Sequence, residues 1–143
     1  MPMIDIYAKS GTFMDKQALV QSIAELVMRV EKVPNISMFR QNTVAFLHES
    51  PDMTISNVDG DSDYIRAQVL TNKDALNREQ QIELTKELTE LLAAYSGNTE
   101  RLEKISIILT EATAGGWGLW GKAHENSDLI LAAREELSHE SNQ

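Results

Sequence analysis

The second residue of the chain is the first place to look for chemistry. The sequence opens Met1-Pro2, and removal of Met1 would leave a secondary amine with a reference pKa near ~8. An apolar pocket or a neighbouring cation pushes such an amine toward its neutral form, because desolvation and like charge both disfavour the ammonium. A neutral secondary amine at pH 7 is a competent general base. With Met1 attached, the Pro2 nitrogen is an amide without basicity, so this chemistry is conditional on the loss of that residue.

Other candidates fall away on pattern. Gly116-Trp117-Gly118-Leu119-Trp120-Gly121 satisfies G-x-G-x-x-G, but a dinucleotide site needs that loop to open a helix, then a further parallel strand and an acidic residue about 20 positions on. Here two indoles crowd the turn and too little chain remains, which reads as a Gly-rich hairpin or bend. His48-Glu49, His124-Glu125 and His139-Glu140 never extend to H-E-x-x-H, and none has a partner at metal-ligand spacing. The acidic stretch 52–63 lacks the EF-hand spacing. With no cysteine, there is no thiol nucleophile or Cys-ligated metal, and no metal or cofactor is expected. The net charge of −9, from 22 carboxylates against 13 Lys and Arg, opposes phosphate-backbone binding. No apolar run approaches the ~20 residues that span a bilayer. The chain reads as a soluble, cytoplasmic protein without nucleic-acid or membrane partners.

The elements that would position Pro2 follow from periodicity. Ile4, Ile6 and Ala8 alternate with Met3, Asp5 and Tyr7, the period-2 signature of a strand that begins directly after the proline. Leu19, Val20, Ile23, Leu26, Val27 and Val30 recur at helical spacing over 15–32, and Pro34 follows as a stop. Residues 43–49 are β-branched and aromatic and predict a second strand. The order then recurs: strand over 64–70, helix over 77–95, strand over 104–110. A register of 62 residues lays Leu26 on Leu88, Phe46 on Ile108 and Glu49 on Glu111, as a degenerate duplication would.

The expectation is one α/β domain over 1–143, made of two tandem β-α-β units (2–51 and 64–122), a linker (52–63) and a tail (123–143) with a short helix near 127–138. Right-handed crossovers make each unit's strands parallel and put both helices on one face of a four-stranded mixed sheet. The bare face then calls for cover by self-association.

Pro2 heading a strand, the fused β-α-β repeat, and Glu111 followed by Gly116-Trp117-Gly118 and Gly121 together resemble the 4-oxalocrotonate tautomerase family. Its longer fused relatives include cis-3-chloroacrylic acid dehalogenase, malonate semialdehyde decarboxylase and macrophage migration inhibitory factor. The resemblance runs to about Lys122. It implies a homotrimer and a cofactor-independent isomerase, with Pro2 as general base on a small 2-oxo or enol carboxylic acid and Trp117 as the active-site aromatic.

Departures from the family pattern bear on substrate. The positions of its arginine clamp match Thr12 and Val44 or Ser106, and the dehalogenase's paired arginines fall near Asn72 and Lys73. Lys32 and Arg66 are the cations that would hold a carboxylate instead. The alternatives kept open are a non-catalytic trimeric interaction protein of this fold, a small-ligand binding module, and dehalogenase, hydratase or decarboxylase chemistry.

Overall fold

A computed structural model describes residues 1–142. Its main sheet has the order β2-β1-β3-β4, built from β1 (Met3–Lys9), β2 (Val44–Ser50), β3 (Ile65–Thr71) and β4 (Ile105–Glu111). β2 runs parallel to β1 and β4 parallel to β3, while β1 and β3 meet antiparallel in the middle. The expected two β-α-β units are therefore present, joined back to back through their first strands.

The crossover helices α1 (Lys16–Glu31) and α3 (Arg78–Tyr95) pack on one face of the sheet and against each other. Ile4, Ile6 and Ala8 of β1 and Ile65, Ala67 and Val69 of β3 point into this layer with Leu19, Ile23, Val27, Leu84, Leu88 and Leu92. Both helices start where a side chain replaces missing backbone partners. The Asp15 carboxylate accepts from Ala18 N–H, and Asn77 and Gln80 form a reciprocal capping box.

The duplication is less regular than one register implies. Met3 pairs with Val44 but Ile65 with Ile105, so the second crossover is one residue shorter. A shift of 62 keeps faces for the outer strands, with Phe46 and Ile108 both exposed. In the inner strands it lays buried Ile4 on exposed Arg66. Because strand side chains alternate, only an odd shift matches the inner strands' buried residues.

Two features, a short helix and the length of the tail helix, go beyond the sequence expectations, and the expected glycine-rich hairpin lies between them. A short helix, α2 (Ser37–Asn42), buries Met38 and Phe39. The glycine-rich segment is a hairpin, β5 (Trp117–Leu119) against β6 (Lys122–His124), whose turn residues Trp120 and Gly121 have φ of 55° and 76°, as a two-residue turn between twisted strands requires. It opens no helix, so the dinucleotide pattern is formal only. The tail forms α4 (Asn126–Ser141), longer than expected, and Glu136 on it accepts from the Met38 N–H at 3.0 Å, capping α2. Among the described residues no helix is long and apolar enough to cross a membrane.

The other face of the sheet is open. On it Tyr7 stacks on His48 at 4.5 Å between ring centroids, and His48 Nε2 lies 2.7 Å from Asp5. Phe46 and Ile108 stand at its two edges, 46% and 41% exposed.

Candidate active site at the N-terminus

The N-terminus enters the molecule at the centre of the sheet. Pro2 is buried, and its carbonyl accepts from the Val44 N–H at 3.2 Å, extending the β1–β2 ladder by one bond. Met1 is 2% exposed and packs with Ile36, Phe39, Trp117, Leu129 and Ala133, a second apolar cluster separate from the helix–sheet core.

The Met1 ammonium donates to Glu31 Oε1 at 2.9 Å, and both groups are almost wholly shielded from water. Burial pushes the amine below its usual value, and the Glu31 charge and hydrogen bond only partly oppose it. The other carboxylate oxygen, Glu31 Oε2, is buried with no hydrogen-bond partner among the described residues. The position of Glu31 is well fixed. It is the last residue of α1, and Gln80 of α3 donates its amide N–H groups to the carbonyls of Val30 and Glu31 at 3.0 and 3.4 Å.

A cavity of about 420 Å³ opens beside this pair. Met1, Glu31 and Lys32 form one side, Asn72 and Lys73 after β3 another, and α4 a third. Its apolar wall includes Val33, Phe39, Leu129 and Ala133. Three cations, Lys32, Lys73 and Arg134, are among its lining residues, and none makes an ion pair among the described residues. The facing acids are Glu31, already committed to the Met1 amine, and Asp74. Such a site is suited to a small anion with an apolar body.

The sequence-derived candidates separate into two groups. Lys32 caps α1 in the left-handed conformation, φ 59°, and lines the cavity beside Met1. Pro2 does not itself line the cavity; Met1 does. Trp117 is 7% exposed and joins the cluster around Met1 without reaching the cavity wall. Arg66 lies apart on the open sheet face, its guanidinium 5.2 Å from the Tyr7 ring centroid and donating to Gln68 at 3.1 Å.

Glu31, Lys73 and Arg134 were not singled out by the sequence as candidates. One signal for Glu31 exists: Leu19, Ile23, Val27 and Glu31 fall at four-residue steps, which sets a carboxylate at the end of a buried helical stripe. Lys73 falls where the resemblance placed an arginine pair, but Arg134 has no local signal.

The hairpin that carries Trp117 depends on Gly116. A Cβ there would lie 2.8 Å from Thr113 Cγ2 and 2.9 Å from the Thr113 carbonyl oxygen. The backbone carbonyl cannot swing aside as a flexible side chain would. Gly116→Ala should therefore lower stability by about 1–3 kcal/mol, read as a lower denaturation midpoint; an unchanged midpoint would show that the Thr113 turn yields freely.

No family model matches this sequence, and neither does any curated protein. Solved structures do match. A fused 4-OT in its wild-type asymmetric trimer superposes with a TM-score of 0.71 at 15% identity, covering 89% of this chain and 98% of its own. Macrophage migration inhibitory factor from Oncomelania hupensis gives 0.71 at 16% identity, covering 97% and 96%. A member of the cis-3-chloroacrylic acid dehalogenase family gives 0.67 at 12%, covering 96% and 99%. At these identities the likeness is one of fold.

Proposed function

We propose that this chain, whose fold is that of the tautomerase superfamily, is a cofactor-independent keto-enol tautomerase that uses Pro2 as its general base once Met1 is removed. The observation that carries the reading is the position of Met1. Met1 lines a cavity that three cations also line, packs into the apolar cluster beside it, and is joined to the Pro2 nitrogen by its peptide bond. Its loss would vacate that volume and leave the Pro2 amine facing the space where a small acid would sit.

The proposed reaction on an enol acid is a proton transposition. Neutral Pro2 takes the enol hydroxyl proton, the enolate charge is held by Lys32, and the Pro2 ammonium returns the proton to the adjacent carbon to give the ketone. No electron is gained or lost and nothing else is consumed. Trp117 backs the vacated volume as an apolar wall and helps to keep water from the amine.

The same reading includes a homotrimer, on the strength of the open sheet face and of neighbours described as trimers. Arg66 then belongs to the face between copies. The paired substitution Phe46→Glu with Ile108→Glu should reduce the sedimenting species from three copies to one, because like charges would be buried at the sheet edges. A trimer that persists would place the interface elsewhere.

A second reading, a non-catalytic protein of this fold, is favoured by one observation: the Met1 ammonium is sealed against Glu31, and in that state Pro2 is an amide. Intact mass and ketonisation of phenylenolpyruvate, measured on one sample, distinguish the two. Loss of one methionine together with turnover supports the tautomerase. Retained Met1, or no turnover in the Met1-free chain, sinks it.

A further inference from the structure

We propose that α4 is a wall of the substrate site and that Arg134 on it, acting with Lys73, binds the carboxylate of a monocarboxylic 2-oxo acid carrying an apolar substituent. This inference deepens the tautomerase reading and rests on it for the identity of the site. Asn126, Ile130, Arg134 and Leu137 line the cavity at three- and four-residue steps, so one face of α4 runs along it for about three turns. The helix cannot slide freely: Leu129 and Ala133 are buried in the Met1 cluster, Glu136 caps α2, and the Asn126 amide donates to the Lys73 carbonyl at 2.7 Å.

That last bond ties the Lys73 loop to the start of α4. A second one, between the Asn72 and Asn126 side chains at 2.9 Å, reinforces it. The structure therefore fixes together the two backbone segments that carry Lys73 and Arg134. Both side chains lack an ionic partner among the described residues, so neither is committed to holding the fold. Arginine matches a carboxylate with two parallel N–H donors, which a lysine cannot do.

The rest of the lining argues for one carboxylate rather than two. Val33, Phe39, Leu129, Ile130, Ala133 and Leu137 offer apolar surface, and an acid with an aryl or branched body would cover it. A short dicarboxylate would leave that surface wet and set its second charge near Glu31, where like charges repel.

The test is titration of the full chain, its Met1 state fixed by mass, with phenylpyruvate, its methyl ester and oxaloacetate, read by calorimetry. Wild type, Arg134→Ala, Arg134→Lys and, as a distant control, Arg29→Ala are compared. Arg134→Ala should weaken phenylpyruvate about tenfold, Arg134→Lys should recover part of this, and the ester should be indifferent to both. Wild type should prefer phenylpyruvate to oxaloacetate. Equal losses for acid and ester, no loss at all, a preference for oxaloacetate, or no binding of phenylpyruvate to wild type would each overturn the proposal. Binding that depends on Arg134 without turnover would leave this proposal standing and sink the Pro2 mechanism. Turnover with KM unmoved by Arg134→Ala would do the reverse.

Discussion

Pro2→Ala should lower kcat/KM for ketonisation of phenylenolpyruvate by about 10²–10⁴-fold, the span attributable to one positioned general base. In free energy this is about 3–5 kcal/mol of transition-state stabilisation. Most of the loss should fall on kcat, since the cations that would hold the carboxylate, Lys73 and Arg134, and the enolate, Lys32, are untouched. The residue should leave folding nearly intact, because the bond that Pro2 makes to Val44 N–H uses its carbonyl, which alanine also has. Some activity should survive: alanine also permits Met1 removal and presents a primary amine, which is free to rotate out of line where the proline ring is not. A decrease of less than about fivefold in a chain shown by mass to lack Met1 would exclude Pro2 as the base.

How much of this was legible in the sequence depends on the range of the interactions involved. The β-α-β order was, since periods of 2 and 3.6 are written in consecutive residues, and Ile4-Ile6-Ala8 or Leu84-Leu88-Leu92 allow only one assignment. That Pro2 heads a strand was legible from its position, and that Trp117 sits in a hairpin from the glycines around it. α2 was hidden because six residues give too little periodicity; Met38 and Phe39 are buried by α4 and Met1, which are distant in sequence. Glu31 looked like an ordinary helix terminus. Its burial follows from the Met1 ammonium thirty residues earlier, and no local pattern announces an ion pair of that separation. Arg134 is legible only after α4 docks, because helical spacing alone cannot say which neighbour a mixed polar face will meet. Arg66 shows the converse: a cation on a strand drew attention, and its neighbours proved to be Tyr7 and Gln68 on the sheet face away from the cavity.

The sign of the Glu31→Gln effect on stability should reverse between the Met1-bearing chain and the same chain trimmed by methionine aminopeptidase. In the Met1-bearing chain the substitution removes the anion from a buried ammonium. The amine escapes by shedding its proton, and from an ordinary value near 8 that costs at most about 1.4 kcal/mol at pH 7. Because the amine is already held below its usual value, the unfolded chain binds more protons in this range. Stability therefore rises with pH, and the gap between variant and wild type narrows as pH passes the wild-type folded amine's own value, which lies below 8. In the trimmed chain the unpaired member is the carboxylate, with Oε2 already lacking a partner. A buried carboxylate stripped of its cation costs about 3–5 kcal/mol, less whatever water entering the vacated Met1 volume restores. Glutamine keeps the shape without the charge, so here it should stabilise. Denaturant unfolding of the four proteins at pH 7 reads both signs. The comparison also tests the base, because the three bonds separating the two nitrogens keep Pro2 within about 7 Å of Glu31 Oε1. If glutamine destabilises both forms alike, the Pro2 amine has replaced Met1 as a cation paired with Glu31, and the neutral amine that the reaction needs is not there.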